Sequence, residues 1–442
     1  MGKILIANRG EIARRIIRTC RRLGMETVAV YSEADRDLPF VREADARHHL
    51  GGSLPGESYL DGEKILAAAR LHQVDAIHPG YGFLSENAGF ARRVREEGIR
   101  FIGPDEETIA LMGDKINARK VAERAGVPVL PASDEITSAE EVLLWAETIG
   151  YPVLLKAAGG GGGIGMALCR NPEDLKKALP RVQMRAGKNF LSKSIYLEKF
   201  VEDARHIEVQ IFGCSGKAFH LYERDCSVQR RNQKVIEETP APGLAEETGE
   251  KLYEAAVRLA EEVKYSGAGT VEFLVDQKGN FYFLEMNTRL QVEHPVTEAV
   301  CAIDLVEWQI LEIFNQFPPL DQNGLRRSGH AIEFRVYAED PQTFYPSPGT
   351  LRKLRWGKAG NVRIDCGYEE GNAVPPFYDP LIAKCIVSGR TREECLDRAY
   401  HFFRTTEIGG IRTNIPLFLR LLEKGPFKEG NYSTNLLTKE SR

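Results

Sequence analysis

Phe281-Tyr282-Phe283-Leu284-Glu285-Met286-Asn287-Thr288-Arg289-Leu290-Gln291-Val292-Glu293 carries polar side chains at alternate positions from Glu285 onward: Glu285, Asn287, Arg289, Gln291 and Glu293. Successive side chains of an extended chain point to opposite faces, so all five would project from one side. At about 3.3 Å per residue the row would run for about 26 Å. Two carboxylates then flank an arginine and two amides. Such a set can grip a metal-bound phosphate at one end and a small anion further along. A strand that merely faces water has no need of this strict order.

Just upstream, Val271-Glu272-Phe273-Leu274-Val275 reads as a strand with one acid among apolar residues, and Asp276 to Asn280, with Gly279, reads as a hairpin turn. A four-residue loop from Gln277 to Asn280 sets Glu272 directly opposite Glu285. Like charges facing across a ladder destabilise it. A divalent cation between them removes the repulsion, and oxygen ligands suit magnesium or manganese.

Further out, the chain begins with alternating strand and helix signals. Lys3–Ala7 is a short apolar run broken at Asn8-Arg9-Gly10, a helical pattern from Glu11 to Leu23 stops at Gly24, and Thr27–Tyr31 and Ala76-Ile77 read as later strands. This βα alternation, continuing to about Asp114, implies a parallel sheet flanked by helices. Asp114 reads as the N-cap of a helix ending at Gly126, and Ser138 with Glu141 as the capping box of a helix ending at Gly150. After the strand Tyr151–Ala157 comes a run of glycines, Gly159 to Gly163, then Ile164 and Gly165. Its freely rotating backbone amides can wrap phosphate oxygens. No Gly-Lys-Ser/Thr follows, which excludes a Walker loop, and Met166–Cys169 reads as a strand rather than the helix of a dinucleotide fingerprint. A flap over a nucleotide fits such a loop between two strands. A third region, with turns at Pro346-Ser347-Pro348-Gly349 and Pro375-Pro376, follows Gly329.

The 442 residues are 43% apolar and 28% charged with a net charge of −4, which suits a globular protein and gives no basic domain for nucleic acid. No apolar run reaches the ~20 residues that span a bilayer, and the N-terminus lacks a signal peptide's apolar core. Eight scattered cysteines without a CxxC pair point to a reduced, cytoplasmic setting. Lys115, behind the Asp114 cap, and Lys156, at the end of a strand, can reach phosphates. His206, Glu208 and Gln210 share a period of two. Arg224-Asp225-Cys226 and Gln229 to Lys234 are dense in donors and read either as an anion site or as a charged loop. Arg335, between Phe334 and Val336, needs an acid or a site to face.

At this point Asn8-Arg9-Gly10-Glu11-Ile12-Ala13, His78-Pro79-Gly80-Tyr81-Gly82-Phe83-Leu84-Ser85-Glu86-Asn87, the glycine loop, Gln229-Arg230-Arg231, Glu285 to His294 and Pro346-Ser347-Pro348-Gly349 together resemble biotin carboxylase, of the ATP-grasp superfamily, over nearly the whole chain. The resemblance implies an α/β protein of three units. These are an N-terminal Rossmann-like domain over 1–114, an ATP-grasp domain over 115–330 with a mobile lid at about 131–203, and a C-terminal domain over 331–442. It implies that bicarbonate and ATP form carboxyphosphate and that biotin is then carboxylated. Lys115, Lys156, Gly161, Gly162, Gly163 and Gln229 would serve ATP. Glu198, Lys199 and Val201 would meet adenine, and His206 the ribose region. Glu272, Glu285 and Asn287 would hold Mg²⁺ or Mn²⁺. Lys234, Arg289, Gln291 and Val292 would cradle bicarbonate, with Glu293 the general base. Arg335 would face the biotin enolate and Glu86 would lie near the biotin ring.

The family usually has a basic residue where Ile164 stands and a histidine where Asn232 stands. No methionine precedes a lysine, so the Met-Lys of a biotin-accepting domain is absent and biotin is expected on a separate carrier protein, working with a carboxyltransferase, as in acetyl-CoA carboxylase. The final acceptor is not legible. The family forms homodimers, and Arg15 and Arg18 match its interface region, although a solvated face explains them as well. Two other readings stay open: another ATP-grasp ligase that forms an acyl phosphate, and a non-catalytic nucleotide-binding homologue.

Overall fold

A computed structural model describes residues 2–136, 138–157, 166–189, 195–230 and 232–440. The N-terminal unit is a five-stranded parallel sheet in the order β3-β2-β1-β4-β5, with β1 at Lys3–Ile6, β2 at Glu26–Ser32, β3 at Ala46–Gly51, β4 at Ala76–His78 and β5 at Arg100–Phe101. Apolar residues at Ile12, Ala13, Ile16, Ile17 and Cys20 place one stripe of helix α1, Gly10–Arg22, in the core. The strand order reverses between β1 and β4, the place where α/β sheets open a crevice. The loops after these two strands meet there: Asn8 Nδ2 donates to the carbonyls of Pro79 (2.7 Å) and Tyr81 (2.8 Å). Gly80 makes the approach possible, since it sits at φ +62° and a Cβ there would lie 2.9 Å from Asn8 Nδ2.

The expected caps form. Asp114 accepts from the Asn117 amide at the start of the helix Lys115–Arg124, and Ser138 from the Glu141 amide at the start of Ala139–Ile149. Three strands, β6 (Val153–Ala157), β7 (Met166–Cys169) and β8 (Ile195–Lys199), make a small antiparallel sheet in the order β7-β6-β8. The glycines Gly159 to Gly163, Gly165 and Ile164 lie outside the described residues.

The main sheet has eight strands. Its order is β13 (Phe281–Asn287), β12 (Gly267–Val275), β9 (Arg205–Cys214), β10 (Lys217–Arg230), β11 (Gln233–Thr239), β14 (His330–Tyr337), then Leu381–Gly389 and Val362–Cys366. Strand β14 pairs with β11 on one side and with Leu381–Gly389 on the other, so the central and C-terminal segments share one sheet. One face is closed by the helix Glu246–Glu262, whose Leu252, Ala256 and Leu259 pack on Val209, Ile211 and Phe273. Each fully buried side chain of the leucine or phenylalanine kind contributes roughly 1.5–3 kcal/mol. Phe334 of β14 packs beside Phe403 and Phe418. Its neighbours Glu333 and Arg335 therefore point to the opposite face. The segment Arg224–Lys234, read from sequence as a possible charged loop, is mostly strand in β10 and β11. Asn232 stands in their turn at φ +63°, a conformation asparagine tolerates better than most residues. Among the described residues no helix is long and apolar enough to cross a membrane.

Candidate active site

The pair β12–β13 sets Glu272 directly opposite Glu285, as the sequence predicts, but by a different path. The turn takes five residues, not four, with Val275 opposite Phe281, and a one-residue bulge at Leu284 restores the facing. Asp276 shapes the turn by accepting from the amides of Lys278 (2.8 Å) and Asn280 (2.9 Å).

The straight row expected from Glu285 to Glu293 does not form. The strand stops at Asn287, and residues 288–293 curl into the start of the helix His294–Cys301, where Pro295 suits a first turn that needs no amide donor. The polar groups gather instead of lining up. Asn287 Nδ2 lies 3.1 Å and Gln291 Nε2 2.7 Å from Glu272 Oε1. Arg289 donates to Asn287 Oδ1 at 2.6 Å and to Glu86 at 2.7 Å, so the N-terminal unit contributes Glu86 to this cluster.

Lys234, on β11, is the hub. Its ammonium donates to Glu208 at 2.6 Å, Glu293 at 2.7 Å and Glu272 at 2.8 Å. Arg335, on β14, donates to Glu293 at 2.9 Å and is also ion-paired with Glu237. Burial alone would push the Glu293 carboxyl up, but Lys234 and Arg335 outweigh it and hold it well below its ordinary value. Glu272 is likewise depressed, with Lys234 and His206 overcoming burial. Glu285 behaves oppositely: burial and the facing Glu272 raise it. Asn287 Nδ2 donates to it at 3.5 Å. A carboxylate raised by a facing carboxylate fits a hard divalent cation, while the Asn287 amide turns its nitrogen to the pair and its oxygen to Arg289. Replacing Glu285 with glutamine therefore lowers the affinity for Mn²⁺ by about tenfold or more, each tenfold being about 1.4 kcal/mol. Titration calorimetry reads it directly.

His206 joins the same cluster, with Nε2 at 3.0 Å from Glu272 and Nδ1 at 2.8 Å from the Gln229 amide. On the small sheet Lys156 is buried against Glu198, and this pairing raises the lysine despite the burial that opposes it. Lys115 lines the adjoining cavity with Arg119, Ser133, Tyr196, Glu198 and Phe283. Lys199 donates to the carbonyls of Gly150 (2.8 Å) and Tyr151 (3.0 Å), and half-buried Val201 follows β8. The Val292 carbonyl accepts from Lys384 at 2.9 Å. Gly161, Gly162 and Gly163 fall outside the described residues.

Some contributors do more than the sequence reading gives them: Arg224, read there as part of an anion site or a charged loop, is neither. Arg224 is fully buried and all five of its N–H groups are used, on Glu208, Gln210, Thr297, Thr270 and Gln291. The sequence reading passes over Glu237 and Lys384. Arg15 is buried between Glu298 (2.8 Å) and Asp304 (2.7 Å), which excludes a solvated face for it, whereas Arg18 pairs with Asp365 and stays exposed at 50%.

Three family models match in sequence order: "Biotin carboxylase, N-terminal domain" over residues 1–109, "Carbamoyl-phosphate synthase L chain, ATP binding domain" over 114–313, and "Biotin carboxylase C-terminal domain" over 333–439. Biotin carboxylase 2 of Bacillus subtilis is 52% identical over 437 residues, 98% of each chain. Among solved structures, a biotin carboxylase–β,γ-ATP complex from Campylobacter jejuni is similar at a TM-score of 0.96 and 44% identity, covering 99% of this chain and 98% of that one. The biotin carboxylase domain dimer of 2-oxoglutarate carboxylase from Hydrogenobacter thermophilus, with MgADP, ADP and bicarbonate, also gives 0.96 and 44%, covering 99% and 97%.

Proposed function

The chain belongs to the biotin carboxylase family, and from that membership we propose how its residues divide the work of carboxylating biotin. It is an ATP-dependent ligase of ATP-grasp architecture that uses ATP, Mg²⁺ and bicarbonate. The observation that carries the division of labour is Glu293 held between Lys234 and Arg335, beside the facing pair Glu272 and Glu285.

Bicarbonate is a poor electrophile, so it must first be phosphorylated. Lys115 and Lys156 hold the ATP phosphates, with Gly161, Gly162 and Gly163 over them. Gln229 and His206 order the nucleotide's sugar side, and Glu198, Lys199 and Val201 its base. Glu272, Glu285 and Asn287 hold the divalent ion, which when bound neutralises phosphate charge. Lys234, Arg289, Gln291 and the Val292 backbone fix bicarbonate, and Glu293 takes its proton. The resulting carboxyphosphate releases carbon dioxide beside biotin. The phosphate left by that breakdown accepts the ureido proton of biotin, the negative charge rests on the ureido oxygen, and the ureido nitrogen then attacks carbon dioxide. Arg335, anchored by the sheet, meets that charge where it develops. Glu86 lies on the biotin side and keeps Arg289 oriented.

The three units 1–114, 115–330 with a lid at about 131–203, and 331–442 belong to the same proposal. So does a homodimer, supported by the dimeric relative and by exposed Arg18 on α1. Biotin arrives on a carboxyl carrier protein and leaves for a carboxyltransferase subunit, of which acetyl-CoA carboxylase is one setting. The compartment is the cytoplasm, in keeping with eight free thiols.

Phosphate release from ATP tests this. It requires bicarbonate and rises with free biotin. Stimulation by an amine in place of biotin would make the chain an acyl-phosphate ligase, and nucleotide binding without turnover would make it a non-catalytic homologue.

A further inference from the structure

Behind Arg335, on the sheet face covered by the helix His294–Cys301, lie two carboxylates with no part in the reaction so far. Glu237 of β11 and Glu333 of β14 are direct cross-strand partners, and both are fully buried. Residues so paired bring their Cβ atoms to about 5 Å. Glu237 has one close counter-charge, the Arg335 guanidinium, which it shares with Glu293. Neither oxygen of Glu333 has a hydrogen-bond partner among the described residues.

The charged groups around Glu333 are few. Arg335 lies on its own strand, Glu237 on β11, Lys384 on Leu381–Gly389, and Glu293 before the covering helix. Lys384 is engaged elsewhere, donating to the Val292 carbonyl at 2.9 Å and lying 3.3 Å from Glu11. On the covering helix, burial, Lys384 and Arg15 keep His294 neutral, and Glu298 is taken by Arg15 and Arg363. An ionised carboxylate buried without a partner, facing a second one, is too unfavourable to persist, and such a group takes up a proton.

We propose that Glu237 and Glu333 hold one proton between them, so that the pair carries a single negative charge and Arg335 keeps a positive field for the biotin oxygen. The proton sits on Glu333 and points toward Glu237, which anchors Arg335. Glu333 is thus a positioning residue, and this rests on the reading of Arg335 above. The directions of titration agree. Burial raises Glu333 well above its ordinary value, and burial, against the pull of Arg335, raises Glu237 to about 7. Both shifts are upward, so Glu333 keeps its proton through neutral pH, Glu237 takes up a second one only below about 7, and the shared proton leaves as pH rises. The pair then passes from one negative charge to two, and Arg335 is more fully neutralised. Biotin-stimulated turnover consequently carries an alkaline limb that belongs to this pair.

Glu333→Gln keeps the shape of the protonated acid and cannot ionise. Its biotin-stimulated phosphate release matches the wild type at neutral pH. It lacks the pair's alkaline limb, so one pH unit above the wild-type midpoint its rate exceeds that of the wild type by about tenfold. Bicarbonate-dependent release without biotin keeps its profile. Infrared difference spectra of the full chain at neutral pH, wild type minus variant, show a protonated carboxyl band. Coincident pH profiles overturn the effect on Arg335. Absence of the band overturns the shared proton, and if the variant fails to fold, the wild type labelled with ¹³C-glutamate supplies the same reading. Should biotin give no stimulation in the wild type at any pH, the reading of Arg335 fails, and the band still decides whether the pair holds a proton.

Discussion

Replacing Glu293 by glutamine lowers bicarbonate-dependent phosphate release by about 10²- to 10⁴-fold, the usual contribution of a positioned proton acceptor. Glutamine keeps the length of the side chain and can still accept from Lys234 and Arg335, but it cannot take a proton. Lys234 retains Glu208 and Glu272, so the thermal midpoint of the variant stays near that of the wild type. Without ligands Glu293 is a weak base, because Lys234 and Arg335 hold its carboxyl far below the ordinary range. In the roles proposed above, bicarbonate and the biotin oxygen engage those same two donors. As substrates engage them, the grip on Glu293 loosens and its basicity rises at the moment a base is required. Steady-state phosphate release alongside a melting curve checks the prediction, and a variant that loses less than tenfold in rate contradicts it.

Arg224→Met removes the hub beneath the site and destabilises the chain by roughly 3–5 kcal/mol, the range for breaking a buried ion pair by deleting one partner. Five donors vanish at once, leaving Glu208 without its arginine and the carbonyl oxygens of Gln210 and Gln291 unsatisfied. Arg224→Lys does little better, since three donors on a flexible stem cannot reproduce the planar fork. Urea unfolding reads the loss as a lower midpoint. Because Gln291 also turns its amide toward Glu272, the variant that still folds is slower as well as weaker.

The sequence carried the topology of the N-terminal unit because its βα signals, such as Lys3–Ile6 and helix α1, are local, and the caps at Asp114 and Ser138 of the next segment follow from short-range patterns too. The facing of Glu272 and Glu285 was expected from a four-residue turn, one residue too short, and holds because a bulge at Leu284 makes up the difference. The bend after Asn287 was not, because polar alternation looks alike in a strand and in a segment that curls round a buried acid. The buried hub role of Arg224, and Glu237 altogether, stayed hidden for another reason. Their roles come from neighbours 14 to 98 residues away along the chain, such as Gln210 and Arg335, and no window of sequence holds both ends of those bonds. The shared sheet of the central and C-terminal segments, through β11 and β14, is equally a product of distant pairing.

That unbroken sheet has an evolutionary consequence. Lys234 and Arg335 are bolted to adjacent strands, and Glu272 to another strand of the same ladder, so their spacing is fixed by backbone hydrogen bonds. Lys156 and Glu198 sit on a different, three-stranded sheet. Substitutions that retune grip on the energy donor can accumulate in the small module while the carboxyl-transferring geometry is inherited intact, which frees one half of the catalyst to drift without detuning the other.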